Sequence, residues 1–113
     1  MRILDEIITV EELKKIAVET FGDLVKAVVD VEREIVALDA ELHSDLEALL
    51  LENGSKQKDL WGINFYPNLE INDFIEFDSM INIRPSHGNT SRGVDDEKNQ
   101  KKIIAVVNKW VKQ

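Results

Sequence analysis

The segment Leu60–Tyr66 constrains the fold more than any other part of the chain. Apolar residues alternate along it with small or polar ones, so that Trp61, Ile63 and Phe65 share one face of an extended strand. Pro67 ends the strand, because proline has no amide hydrogen to donate to a neighbour. A lone strand leaves its backbone polar groups unpaired, so the sequence predicts a β-sheet in which this strand has an antiparallel neighbour.

Two further segments are candidates for neighbouring strands. Residues 73–84 alternate in the same way and predict a strand that Pro85 closes. Residues 40–51 allow two interpretations. Their leucine, alanine and glutamate content favours a helix, whereas the turn signal at Asn53-Gly54 and the need for a strand partner favour a strand. We favour the strand, which gives a three-stranded antiparallel meander, and the alternative is a helix over about 45–52.

Apolar residues at helical spacing predict three helices. Thr9 and Glu12 form a capping-box pattern before the first of them. An apolar stripe within residues 24–38 predicts the second, and the acidic segment Asp95–Glu97 opens the third. The whole pattern predicts a single α+β domain over residues 1–113. It has two N-terminal helices, the meander and a C-terminal helix, with the helices packed on one face of the sheet.

Charge and composition restrict the classes of function. The chain carries 14 basic and 22 acidic residues, a net charge of −8, and it contains no cysteine. Disulfides, thiolate metal sites and cysteine nucleophiles are therefore excluded. The negative charge repels phosphate backbones, so we expect no general binding of nucleic acids. No apolar run approaches the ~20 residues of a membrane span and no signal-peptide pattern is present, so we expect a cytoplasmic protein without membrane association.

The segment Arg84–Gly93 is the first candidate site, because it contains no acidic residue in this acidic chain. It leads into a predicted helix N-terminus, and arginine binds carboxylates and phosphates through two parallel hydrogen bonds. We predict an anion-binding loop, which needs no cofactor. The alternative is an ordinary connection whose arginines pair with acidic neighbours, namely Glu76, Asp78 or Asp95. The predicted ligand-binding residues are Arg84, Ser86, His87, Asn89, Ser91 and Arg92.

A second candidate site depends on the strand interpretation of residues 40–51. In a strand, His43, Asp45 and Glu47 project to the same side of the sheet. One imidazole and two carboxylates suit a divalent metal such as zinc, manganese or iron, and Glu76 and Asp78 could complete the shell. This set predicts, as the alternative function, a metal-dependent hydrolase. In a helix the cluster is lost.

The remaining face of the predicted sheet is a third candidate. Its polar side chains are interrupted by Tyr66, Phe74 and Met80. Large apolar residues on a polar face are typical of a surface that binds a protein partner or a second copy of the chain. We therefore predict a homodimer or a protein partner at this face, the alternative being that the three residues fill gaps under loops.

Several stretches resemble a known family. They are Glu41–Asp45, Gly54–Asn64 and Ile81–Pro85, with Gly88-Asn89 beyond them. Together they are similar to an uncharacterised family of small prokaryotic proteins, a domain of unknown function, over most of the chain from about Glu11 onward. The resemblance implies a fold unit of this length and carries over no catalytic residue. We therefore expect a small binding or interaction module.

Overall fold

The computed structural model describes all 113 residues. Its main element is a five-stranded sheet. The strands are β1 (Arg2–Ile3), β2 (Ile8–Thr9), β3 (Val25–Asp30), β4 (Ile35–Leu38), β5 (Leu60–Phe65), β6 (Ile75–Glu76) and β7 (Val111–Lys112). The helices are α1 (Val10–Glu19), α2 (His43–Glu52) and α3 (Glu97–Trp110). The main sheet has the order β1-β4-β3-β5-β6 with antiparallel neighbours, and β2 pairs with β7 in a separate parallel pair. The predicted α+β class is confirmed.

The strand predicted over residues 60–66 lies inside the sheet. It pairs with β3 from Val25 opposite Phe65 to Asp30 opposite Leu60, and with β6 on its other side. Every residue of β5 is buried. The predicted antiparallel pairing of this strand is therefore confirmed, although its main partner is β3, which the sequence did not indicate as a strand.

Helices cover both faces of the sheet. Leu13 of α1 and Ile103 of α3 join the larger core cluster with Ile63 and Phe65. On the other face, the smaller cluster consists of Val28, Ala37, Leu46, Leu50 and Leu60. The prediction that all helices pack on one face is wrong, because the central strands carry apolar side chains on both sides and each side needs a cover.

The helix predicted within residues 24–38 is wrong, since this segment forms the hairpin of β3 and β4. The side chain of Asp30 accepts the backbone N–H groups of Glu32 and Arg33 at 2.9 Å each, which fixes the turn. Glu34 completes the turn with a φ of 56°. Valine and isoleucine dominate both strands and favour extended backbone. A strand that is apolar on both faces also contains apolar residues three and four positions apart, so its sequence pattern resembles the apolar stripe of a helix.

The strand favoured for residues 40–51 is also wrong, because His43–Glu52 form α2. The intrinsic preference of leucine, alanine and glutamate prevailed, and Leu46 and Leu50, one helical turn apart, are both fully buried. The predicted meander is consequently absent as well. The sheet that forms takes its central strand from the segment that had been predicted as the second helix.

The strand predicted over residues 73–84 forms only at Ile75–Glu76. Beyond it, a short 3-10 turn at Met80–Asn82 packs beside β5 instead of continuing the ladder. The Asn82 side chain takes the place of a strand there, since its Oδ1 accepts from the Gly62 amide at 2.8 Å and its Nδ2 donates to the Gly62 carbonyl at 3.0 Å. A long alternating segment is thereby divided into a two-residue strand and a side-chain bridge.

The first and last helices begin where the sequence predicts. Thr9 and Glu12 form the expected capping box of α1. Asp96 caps α3 by accepting from the Lys98 amide at 2.9 Å. None of the three helices has the length and apolar character that a membrane span requires.

Candidate functional site

Arg84 and His87 lie in a cleft of about 510 Å³ at one end of the sheet. The β3–β4 turn forms one wall, the start of β5 forms the floor, and α3 forms the opposite wall. The lining residues are Val31, Glu32, Lys58, Asp59, Trp61, Arg84, His87, Asn99 and Lys102. Four separate segments of the chain therefore meet around a space the size of an ordinary small-molecule site.

The Arg84 side chain is held in a defined orientation. Only 8% of this residue is exposed, and its guanidinium carbon lies 4.3 Å from the centre of the Trp61 ring. Nη1 donates to the backbone carbonyl of Gln57. The other two nitrogens, Nε and Nη2, are buried and donate to no acceptor. Their N–H groups point in parallel from one edge of the guanidinium plane, which is the edge that grips two oxygens of a carboxylate or phosphate.

The cleft is richer in positive charge than the chain as a whole. Lys58, Lys102 and Arg84 face it together with the carboxylates of Glu32 and Asp59. The Lys58 ammonium donates to Asp59 Oδ1 at 2.9 Å, and this hydrogen bond raises the pKa of Lys58. Burial lowers the pKa of Arg84, while the carboxylates of Glu47 and Asp59 act in the opposite direction. In a chain of net charge −8, this is a local surface on which an anion is not repelled.

Glu47 of α2 is the carboxylate whose charge acts most strongly on Arg84. Its Oε2 is buried and has no hydrogen-bond partner. Burial raises the pKa of Glu47, and the neighbouring Gln57 amide and Arg84 charge offset this only in part. The four ion pairs of the structure include neither Glu47 nor Arg84. The half-buried Glu47 carboxylate thus acts on the buried Arg84 side chain without forming a salt bridge with it.

The other arginine of the predicted loop serves a different purpose. Arg92 Nε donates to Asp78 Oδ1 at 2.7 Å, and both side chains are about half exposed. This is the pairing that the alternative interpretation of the loop predicted. Arg92 therefore lies outside the cleft, and the two arginines do not converge on one ligand.

Most of the polar residues of the loop hold the loop together. Asn89 is 4% exposed, its Nδ2 donates to three backbone carbonyls at 2.8–3.1 Å, and its Oδ1 accepts from the Asp95 amide at 2.8 Å. The Ser91 hydroxyl donates to Asp95. Ser86 is exposed. Of the six predicted ligand-binding residues, the structure places only Arg84 and His87 in the cleft.

The predicted metal residues do not converge, because they lie on a helix. His43 is buried, its Nε2 bonds the Ile63 carbonyl at 2.8 Å, and burial lowers the pKa of its ring. Asp45 is exposed on another side of α2, while Glu47 faces Arg84. No group of three or more histidine, aspartate or glutamate side chains is arranged to hold a metal ion. Glu76, suggested as a further ligand, accepts instead from Asn64 at 2.8 Å and Tyr66 at 3.3 Å.

The predicted open face of the sheet does not exist as a continuous surface. Helix α2 covers its central part, and Phe74 is buried against Phe65 with 5.5 Å between the ring centres. Met80 lies on a separate turn and is exposed. Of the three apolar residues that suggested an interface, Phe74 belongs to the core, as the gap-filling alternative proposed.

Several cleft residues were not predicted from the sequence. They are Glu32, Trp61 and Lys102. No local signal identifies them, since they become neighbours of Arg84 only through the tertiary fold.

The fold and the cleft define a small α+β protein with a cation-rich recess at the end of an antiparallel sheet. The chain belongs to the family described as Protein of unknown function (DUF5674), which matches residues 2–110. The predicted resemblance to a family without an assigned activity is thereby confirmed. A search among curated proteins finds no match, and neither does a search among solved structures.

Proposed function

We propose that this protein is a binding module for a small oxyanion, a carboxylate or a phosphate, which it holds in the cleft at Arg84. One observation carries the proposal: in Arg84, a residue only 8% exposed, the buried Nε and Nη2 atoms form an edge with two parallel donors and no acceptor. An unsatisfied buried donor costs roughly 1–3 kcal/mol, so an anion that accepts from both donors recovers free energy.

The surroundings of Arg84 determine how an anion can reach it. The Trp61 ring and the Gln57 carbonyl hold the guanidinium plane in the unbound protein, and an anion reaches the Nε–Nη2 edge only when this plane turns. Lys102 of α3 and His87 of the loop line the same cleft and add donors to it. Because the free edge of Arg84 is screened from solvent, we expect a small rotation of its side chain toward the cleft on binding.

Glu47 is the competing partner for this edge. If Arg84 serves only to balance the Glu47 carboxylate, no external anion is needed and the pair is structural. If the edge serves a ligand, Glu47 competes with it, and Glu47→Gln should increase the affinity for an anion. The response of anion binding to this substitution separates the two roles, since a purely structural pair gives no anion binding in either form.

The experiment is a titration of inorganic phosphate into the protein, followed by calorimetry and by amide NMR shifts, with sodium chloride at matched ionic strength as the reference. Arg84→Met should weaken phosphate binding by about tenfold or more, the loss expected for hydrogen bonds to a charged group. Arg92→Gln is the matched control, because it removes the same charge from the same loop outside the cleft. It should leave the affinity within about twofold.

Two results would contradict the proposal. The first is phosphate binding that Arg84→Met leaves unchanged, and the second is an equal loss in both variants, which would indicate unspecific charge attraction. If Arg84→Met does not fold, Lys102→Gln replaces it as the variant that should weaken phosphate binding, and the NMR shifts show where phosphate binds. Phosphate must then shift amides of the cleft residues and not those around Arg92. A cytoplasmic location, a homodimer and the absence of nucleic-acid binding stay predictions.

A further inference from the structure

We infer that the oxyanion bound at Arg84 is the head of a larger molecule with a hydroxylated body, such as a phosphorylated polyol or sugar. The inference rests on the proposed function and adds the class of ligand. The cleft of about 510 Å³ is the first reason, since a bare phosphate ion fills only a small part of it. A ligand that uses the whole cleft must extend from Arg84 along the walls formed by the β3–β4 turn and α3.

The chemistry of these walls indicates what that body carries. Beyond Arg84, the cleft is lined by the carboxylates of Glu32 and Asp59, which accept hydrogen bonds, and by the Asn99 amide, which can accept and donate. Its apolar surface is small, because Val31 is only partly exposed and Trp61 lies under the Arg84 guanidinium. A hydrocarbon chain placed here would remove water from two carboxylates without replacing the lost hydrogen bonds, which is unfavourable. The body therefore needs donor groups.

Hydroxyl donors fit better than an ammonium group. The Lys58 ammonium already donates to Asp59 at 2.9 Å and lies within the field of Glu32 and Asp30. These carboxylates are thus partly neutralised, and a second cation would be repelled by Lys58 as well as by Lys102 on the opposite wall. A hydroxyl donates to a carboxylate without adding charge, and it also accepts from a lysine.

Three phosphate monoesters of similar size test the inference: glycerol phosphate, propyl phosphate and phosphoethanolamine. Their bodies carry hydroxyls, only hydrocarbon and an ammonium, respectively. Calorimetric titration of the wild-type protein should give an affinity for glycerol phosphate about tenfold higher than for either of the others, as expected for hydrogen bonds to a charged acceptor.

Glu32→Ala should abolish this preference and leave the affinity for propyl phosphate within about twofold. Glu32 is exposed, and only its backbone amide supports the hairpin turn, so the variant should fold normally. Glu70→Ala, which removes an exposed carboxylate outside the cleft, is the matched control and should keep the preference.

The outcomes separate this inference from the proposed function. Equal affinity for glycerol and propyl phosphate overturns the hydroxylated body, while binding that still depends on Arg84 keeps the oxyanion site. Tightest binding of phosphoethanolamine overturns it in favour of a zwitterionic ligand. If none of the three esters nor inorganic phosphate binds in an Arg84-dependent way, the proposed function itself fails.

Discussion

Gly62→Ala should destabilise the protein strongly, because no space exists for a side chain at this point of β5. A Cβ atom built on Gly62 would lie 2.5 Å from Ser79 Cβ, 2.6 Å from Ser79 Oγ and 3.1 Å from Ile81 Cγ1. Ser79 cannot easily withdraw, since it is 1% exposed and its amide bonds the Arg92 carbonyl at 2.9 Å. The backbone of residues 79–82 must therefore move away from the sheet.

Two costs make up the expected effect. Overpacking of a well-packed site costs about 1–3 kcal/mol. Moving residues 79–82 also strains the pair of hydrogen bonds between Gly62 and the buried Asn82 side chain, each contributing about 1 kcal/mol. We expect a loss of about 3 kcal/mol in the free energy of unfolding, which is a large fraction of the roughly 5–15 kcal/mol typical of a domain.

Urea unfolding followed by tryptophan fluorescence measures this loss. Gly93→Ala is the matched control, because its added Cβ would meet nothing closer than 3.4 Å, and it should cost less than about 1 kcal/mol. Combining Gly62→Ala with Ser79→Gly removes the closest clash and should recover a large part of the loss in a double-mutant cycle. A Gly62→Ala protein within about 0.5 kcal/mol of wild type, or one that Ser79→Gly does not relieve, would refute this reasoning.

Three further predictions concern buried polar groups. Asn89→Ala should lower the free energy of unfolding by about 3 kcal/mol in urea, because three carbonyls and one amide lose their partner, whereas Asn68→Ala at an exposed position should change it by less than about 0.5 kcal/mol. Burial lowers the pKa of His43 below its ordinary 6.5, so its contribution to stability is complete above pH 6.5 and declines as the pH falls. The stability difference between wild type and His43→Gln should therefore shrink from pH 7.5 to pH 5, and an NMR titration of the ring should give the lowered pKa directly. Burial raises the pKa of Glu47 above 4.5, so its ionised form opposes folding at higher pH, and Glu47→Gln should increase the stability in urea at pH 7 but not below about pH 4.5.

The parts of the fold that could be predicted are those with a local physical signature. Strand β5 has period-two alternation and a closing proline, and α1 and α3 have side-chain caps that stabilise their first turns. The hairpin of β3 and β4 has no such signature, because it is buried on both faces and its apolar residues also fit the spacing of a helix. The preference for α2 as a strand rested on the assumption that β5 lacked a partner, and that assumption fell once β3 supplied one.

The candidate site also has one feature that the sequence reveals and others that depend on the tertiary fold. The lack of acidic residues around Arg84 identified the loop, because charge composition is visible in the sequence. It could not distinguish Arg84 from Arg92, since one is buried over Trp61 and the other pairs with Asp78 only after folding. The lysines of the cleft were equally hidden, because Lys58 and Lys102 belong to segments that are distant from Arg84 along the chain.

The parallel pair of β2 and β7 has a consequence for how the chain acquires its structure. Ile8 aligns with Val111, so two strands that are very distant along the chain are held against each other. Bringing together residues so distant along the chain carries a loop-closure cost, and topologies rich in such contacts fold slowly. During synthesis the ribosome would release α1 and the β3–β4 hairpin long before Val111 emerges. We expect residues 8–9 of the nascent chain to stay protease-sensitive until Val111 has emerged and pairs with Ile8.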